Sequence, residues 1–152
     1  MELKSTAFKE GMNIPPRHTC DNLDVSPALE WSNIPSGTKS FALICDDPDA
    51  PAGTWVHWVL FNIPAKVREL KENQSKTETL TNGARQGKND FGKLGYGGPC
   101  PPGGTHRYYF KLYALDIELD SKPGITKKEL LKAMDGHELE EGQLMGRYKR
   151  MA

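Results

Sequence analysis

Three apolar runs constrain the fold of this chain more than any other feature. Phe41–Cys45, Val56–Ile63 and Arg107–Leu115 are short, rich in β-branched and aromatic residues, and bounded by residues that favour turns. This pattern is typical of buried strands. The chain also contains 15 glycines and 11 prolines, and they are spread along it instead of gathering at one boundary. A single, turn-rich, mainly β domain over residues 1–152 is therefore predicted.

Side-chain alternation adds detail to these strands. With a period of two, Trp55, His57, Val59 and Phe61 should share one face of the second run. In the third run, His106 and Tyr108 should project from the same face.

Weaker patterns predict further elements. The residues Ser5–Phe8, Leu29–Trp31 and Gln143–Tyr148 are strand candidates. One helix should begin after Thr126, because Thr126 and Glu129 match the capping box, in which each side chain satisfies an exposed amide. The segment from residue 81 to residue 105 has no strand or helix periodicity, and its aromatic and proline residues favour an ordered loop that lines something.

Charge and cysteine usage narrow the classes of function. The chain has 20 basic and 20 acidic side chains and a formal net charge of 0, which argues against a nucleic-acid partner and against a basic membrane-surface protein. No apolar run is long enough to cross a bilayer. Cys20, Cys45 and Cys100 are odd in number and widely spaced, so we expect reduced thiols in a soluble, cytoplasmic protein.

Two proline-rich segments each lead into a strand that carries a histidine. Asp46–Pro51 precedes His57, and Gly95–Gly104 precedes His106 and Tyr108. If the two strands are neighbours, two imidazoles, a phenol and an aspartate line one small pocket. Imidazole N–H, phenol O–H and loop amides are donors, and the aspartate can orient one imidazole. The sequence therefore predicts a pocket for a phosphate ester, a sulfate or a carboxylate.

Purely structural roles for these residues, and other kinds of chemistry, remain as alternatives. The aspartates can form turns around Pro48, and a buried histidine or Tyr108 can belong to the core. A metal site from Asp47, His57 and His106 is chemically conceivable, but the spacing does not demand one, so no metal and no cofactor are predicted. No G-x-S-x-G motif is present, and the prolines beside Cys100 favour a role in shaping the loop over that of a thiol nucleophile, so no catalytic residue is predicted. A hydrolase with His57 or His106 as general base is the weakest alternative.

These segments resemble the phosphatidylethanolamine-binding protein family, in particular its short bacterial and archaeal members. DPDAP at Asp47–Pro51, WVHW at Trp55–Trp58 and GYGGPCPPGGTHRYYFKLYALD at Gly95–Asp116 match its two signature regions in order, and CDNLDVSPALEW at Cys20–Trp31 fits as well. The resemblance implies a two-sheet, mostly antiparallel β-sandwich with one or two short helices and a small pocket for phosphate-like anions. The positions that match the family's ligand contacts are Asp47, Asp49, Trp55, His57, Pro102, His106 and Tyr108.

The resemblance also implies several kinds of partner. Family members bind phospholipid head groups, modulate kinase pathways or inhibit serine proteases, and short prokaryotic members form homodimers. We therefore expect non-enzymatic binding of small phosphorylated or other anionic ligands. The alternative is inhibition of a protein kinase or protease through the Gln74–Glu78 or Asn82–Lys93 segments. Since the sequence ends at Ala152, we expect no extra C-terminal helix beside the pocket, and hence a more open pocket.

Overall fold

The computed structural model describes residues 1–151 and has two antiparallel sheets. The strands are β1 (Glu2–Lys4), β2 (Leu29–Ser32), β3 (Ser40–Asp47), β4 (Trp55–Pro64), β5 (Glu69–Leu70), β6 (Arg85–Gln86), β7 (His106–Leu115) and β8 (Glu138–Tyr148). The α-helix α1 is Lys127–Met134, and Pro16–His18 form a turn of 3₁₀ helix. One sheet has the order β1-β2-β5 and the other β6-β4-β3-β7-β8. The mainly β, two-sheet prediction is confirmed.

The five-stranded sheet is apolar on both faces because both faces are covered. One face packs against the smaller sheet, and Phe41, Leu43 and Trp31 lie in the core between them. The other face packs against α1 through side chains that include Leu130. Strand β3 is therefore buried along its whole length, which explains why its sequence is a continuous apolar run with no alternation.

Most strand predictions are confirmed, and one is wrong. The three main runs become β3, β4 and β7, while the C-terminal candidate becomes β8 and extends back to Glu138. The candidate Ser5–Phe8 is not a strand, because β1 ends at Lys4. The Ser5 hydroxyl donates to the Ala28 carbonyl and accepts the amide of Ala7, so this side chain turns the backbone away from the sheet.

The helix α1 begins where the capping box predicts. The Thr126 hydroxyl accepts the Glu129 amide, and the Glu129 carboxylate accepts the Thr126 amide. Leu130 and Met134 face the five-stranded sheet. Gly136 has a φ of 80°, in the left-handed region that suits the residue after a helix end.

Two β-bulges interrupt the alternation of β4. Cys45 pairs with Trp58 and Asp46 with Val56, so His57 is an extra residue without a partner across the ladder. A second irregularity lies near Asn62, which has a φ of 53°. The prediction that Trp55, His57, Val59 and Phe61 share one face is therefore wrong. Val59 and Phe61 pack on the helix side, whereas Trp55 and His57 line a cavity at the edge of the sandwich.

The cysteines also differ from expectation. Cys20 and Cys100 form a disulfide across 80 residues of sequence, and Cys45 is free and buried. The expectation of reduced thiols is wrong, because the fold brings two distant loops together, where the Cys20 amide also donates to the Pro99 carbonyl. The cytoplasmic prediction loses this support. Within residues 1–151, no helix is long and apolar enough to cross a membrane.

Candidate functional site

Three strand ends bring the two histidine segments together. Strand β3 ends at Asp47, while its antiparallel neighbours β4 and β7 begin at Trp55 and His106. These ends therefore meet at one edge of the five-stranded sheet. Strand alternation points Asp47, His106 and Tyr108 to the same side, and the bulge at His57 brings the second imidazole there.

A cavity of about 220 Å³ opens at this edge. Its polar lining residues and Tyr108 are buried, whereas most of its apolar lining residues are partly or fully exposed. The lining residues are Asp47, Ala50, Pro51, Trp55, His57, Phe91, Cys100, Pro101, Pro102, His106 and Tyr108.

The structure places all but one of the predicted site residues in this cavity. The exception is Asp49, whose carboxylate accepts Arg107 Nη2 at 2.8 Å, Arg107 Nε at 2.9 Å and the Arg107 amide at 2.9 Å. Asp49 therefore fixes the start of β7 from outside. The pattern analysis did not single out Ala50, Pro51, Phe91, Cys100 and Pro101 as site residues, although the aromatic and proline residues of the long loop indicated a lining role.

His106 is oriented by a buried carboxylate. Its Nδ1 donates to Asp47 Oδ2 at 2.6 Å, and both side chains are more than nine-tenths buried. An ionised aspartate only accepts, so the proton of this bond is on Nδ1. Nε2 is left as the free ring nitrogen, with no protein hydrogen bond in the described chain.

His57 is held by the backbone of the long loop. Its Nδ1 donates to the Gly97 carbonyl at 2.6 Å. Burial lowers the pKa of His57, so the ring is neutral near neutral pH. Phe91 packs edge-on against the imidazole, with the two ring centroids 5.4 Å apart. A Cβ on Gly97 would lie 2.6 Å from the Phe91 ring, so a larger residue here would displace this ring from the wall.

Tyr108 presents a hydroxyl that the described chain does not satisfy. The side chain is almost fully buried, and its Oη has no hydrogen-bond partner in residues 1–151. The ring contacts His57 edge-on at 5.2 Å and lies nearly parallel to His106 at 6.5 Å. Burial raises the pKa of Tyr108, so the phenol stays protonated and can donate.

The polar groups of the cavity suit the binding of an anion. Tyr108 Oη donates, His106 Nε2 donates when the ring is protonated, and neutral His57 Nε2 accepts. Asp47 and His57 Nδ1 are already committed to His106 and Gly97. In the part of the chain that the structure describes, no group of three or more His, Cys, Asp or Glu side chains is placed to hold a metal ion.

Known proteins resemble this chain over nearly its whole length. A family model described as phosphatidylethanolamine-binding protein matches residues 4–149. A UPF0098 protein of Methanothermobacter thermautotrophicus is 53% identical over 150 residues, which cover 99% of each chain. A UPF0098 protein of Aquifex aeolicus is 50% identical and covers 99% of this chain and 89% of its own.

Two crystal structures have the same fold. A putative phosphatidylethanolamine-binding protein homologue from Chlamydia trachomatis has a TM-score of 0.92 and 41% identity, and the match covers 99% of this chain and 97% of that one. YbcL of E. coli, presented as a new member of the mammalian PEBP family, has a TM-score of 0.90 and 34% identity, with 99% and 98% covered.

Proposed function

The chain belongs to the phosphatidylethanolamine-binding protein family, and on this premise we propose that it reversibly binds small phosphorylated anions in the cavity around His57, His106 and Tyr108. The ligand class comprises inorganic phosphate and phosphate monoesters of the phosphoethanolamine type. The cavity volume of about 220 Å³ suits a head group of this size.

The unsatisfied hydroxyl of Tyr108 carries the proposal. A buried hydroxyl without a hydrogen bond costs about 1–3 kcal/mol in a folded protein. This penalty is relieved when an oxygen of a ligand accepts a hydrogen bond from the Tyr108 hydroxyl. Because Tyr108 lines the cavity and its buried hydroxyl has no partner within residues 1–151, we expect its acceptor to be a molecule that enters there.

His106, which Asp47 orients, supplies a second hydrogen-bond donor for the anion. With its Nδ1 bonded to Asp47, the imidazole can offer only Nε2 to a ligand, as a donor in its protonated form. The carboxylate of Asp47 offsets the charge of a protonated His106 ring. Directed hydrogen bonds therefore contribute more to the affinity for an anion than the net charge of the cavity does.

The lining residues support binding without turnover. No serine or threonine is among the described residues of the cavity, and the Cys100 sulfur is held in a disulfide. The phenol of Tyr108 is kept protonated by burial. A reversible binder needs none of these groups as a nucleophile, whereas covalent catalysis would need one of them activated.

Tyr108→Phe tests the proposal because it separates ligand binding from packing. Calorimetric titration with phosphate and O-phosphoethanolamine should show an affinity about tenfold or more lower in the variant, the value of one lost hydrogen bond to a charged group. The thermal stability of the free protein should be unchanged or higher, because the variant removes an unsatisfied group.

Tyr109→Phe is the matched control, since Tyr109 lies on the opposite face of β7 and borders a different cavity. It should bind phosphate like the wild type. Wild-type protein that binds neither anion, or a Tyr108→Phe variant with unaltered affinity, would refute the proposal.

Inhibition of a protein kinase or protease, homodimer formation and a cytoplasmic location stay predictions. The largely exposed Gln74–Glu78 stretch and the partly exposed Asn82–Lys93 loop are the segments predicted to contact a protein partner.

A further inference from the structure

The Cys20–Cys100 disulfide forms part of the wall of the anion cavity. Cys100 borders this cavity and also a second cavity of about 180 Å³ behind it, whereas Cys20 borders only the second. Both cysteines are partly exposed. The disulfide therefore lies between the two cavities, and of its two cysteines only Cys100 borders the anion cavity.

We infer that this disulfide is a thiol-exchange site for small anionic thiols. The inference rests on the proposed function, because the anionic group of the thiol would be held by the donors His106 and Tyr108 of the same cavity. The ligand class is a molecule with a phosphate-like or sulfonate group and a thiol a few bonds away. Such a molecule, bound by its anion, carries its sulfur toward the Cys100 wall.

The arrangement selects which sulfur is attacked. Exchange proceeds when a thiolate attacks one disulfide sulfur and the other leaves, and access decides between the two sulfurs. A thiolate in the anion cavity meets Cys100, with Cys20 on the far side. Cys45 takes no part, because it is fully buried and burial raises the pKa of its thiol well above the ordinary range.

The exchange is a two-electron reduction of the protein by two thiols. The first thiolate forms a bond to Cys100 Sγ, the Cys20–Cys100 bond breaks, and Cys20 leaves as a thiolate that takes up a proton. A second thiolate then attacks the ligand sulfur of the mixed disulfide. This releases the oxidised ligand disulfide and leaves Cys100 as a thiol after protonation.

Reduction would also alter the cavity itself. The loop that carries Cys100 supplies Pro101 and Pro102 to the wall and the Gly97 carbonyl that holds His57. With the disulfide broken, the amide of Gly98 still donates to Asp24 Oδ1 at 2.8 Å, but the wall beyond it loses its covalent attachment to Cys20. Anion affinity and thiol exchange are therefore coupled.

The experiment compares two thiols with the same two-carbon chain on the oxidised protein. Mercaptoethanesulfonate carries an anion and mercaptoethanol does not. Loss of the disulfide is followed by rapid alkylation and mass spectrometry, and each rate is divided by the rate of the same thiol with hydroxyethyl disulfide. We expect a normalised preference for the sulfonate of about tenfold or more, the factor that one charge-assisted hydrogen bond supplies, and saturation at high thiol concentration.

Inorganic phosphate serves as a competitor and requires no variant. At ionic strength matched with sodium chloride, phosphate should slow the reaction with mercaptoethanesulfonate and leave that with mercaptoethanol unchanged. His106→Gln should remove the preference in the same assay. Equal normalised rates for the two thiols, or no effect of phosphate, would overturn the inference.

Calorimetric titration of the oxidised protein with phosphate separates this inference from the proposed function. If phosphate binds and the sulfonate thiol has no advantage, the exchange site is wrong and the proposed function stands. If phosphate does not bind, both are wrong.

Discussion

His57 should distinguish between anions through the one nitrogen that it offers to the cavity. Its Nδ1 donates to the Gly97 carbonyl at 2.6 Å, and burial lowers the pKa of the ring. Nε2 of the neutral ring is therefore an acceptor. An acceptor disfavours a fully deprotonated oxygen and favours an anion that still carries a proton. A monoprotonated phosphate monoester should thus bind more tightly than a sulfate ester of the same shape.

The size of this preference follows from burial. The residue is only 3% exposed, so water competes weakly for the bond. A hydrogen bond that involves a charged group contributes about 1.5–3 kcal/mol, and this corresponds to roughly a 10- to 100-fold difference in affinity. The second pKa of a phosphate monoester is about 6, so the ligand loses the required proton as the pH rises through that value. The preference should decline over the same range.

Methyl phosphate and methyl sulfate provide the assay. Their dissociation constants are measured by calorimetric titration between about pH 5 and about pH 8, a range that spans the ligand pKa near 6. Any effect of pH on the protein that is common to both anions cancels in the ratio of the two constants. His57→Phe keeps a flat ring without an acceptor and should bring the ratio close to unity. The reasoning is refuted if methyl sulfate binds as tightly as methyl phosphate at the acid end, or if the ratio grows with pH.

Three further substitutions test structural contacts around the site. Asp49→Asn should leave phosphate affinity within about twofold of the wild type. It should lower the free energy of unfolding by only about 0.5–1 kcal/mol, because both side chains of the Asp49–Arg107 pair are partly exposed. Hydrogen bonds from Arg107 hold the pKa of Asp49 at about 2. The stabilisation from this pair is therefore complete above the ordinary carboxyl pKa and is lost as the pH falls through about 2. Acid titration followed by circular dichroism measures this loss. Replacing Cys20 and Cys100 together with serine should lower the free energy of unfolding in urea by up to about 4.5 kcal/mol, because the disulfide closes a loop across 80 residues. Thr126→Ala removes the cap of α1 and should lower the same quantity by about 1 kcal/mol without changing phosphate affinity.

Local patterns in the sequence account for the elements that were predicted correctly. The alternation in Arg107–Leu115 places His106 and Tyr108 on one face because β7 has no irregularity at these positions. The capping box at Thr126 is complete within four residues, so it predicts the start of α1 without any knowledge of the rest of the fold.

The remaining features depend on contacts between distant segments. The bulge at His57 exists only in the pairing of β4 with β3, and the disulfide depends on two loops that meet across the sheet edge. Asp47 and Asp49 are equivalent in sequence, since each lies beside a proline. Only the register of β3 with β7 decides that one carboxylate orients His106 inside the cavity, while the other binds Arg107 outside it.

The end of β3 makes ion pairs on both faces of the sheet, and the pairs outside the cavity hold the strands that carry its polar groups. Asp46 and Asp47 are neighbours on β3 and point to opposite faces. While Asp47 holds His106, the buried Asp46 accepts Lys127 at 2.6 Å at the start of α1 and lies 3.4 Å from Lys111 on β7. The outer contacts therefore fix the spacing of β3, β7 and α1 without touching a ligand. Because the donor groups are already positioned before an anion arrives, the binding proposed above should cost less conformational freedom than binding to a mobile site.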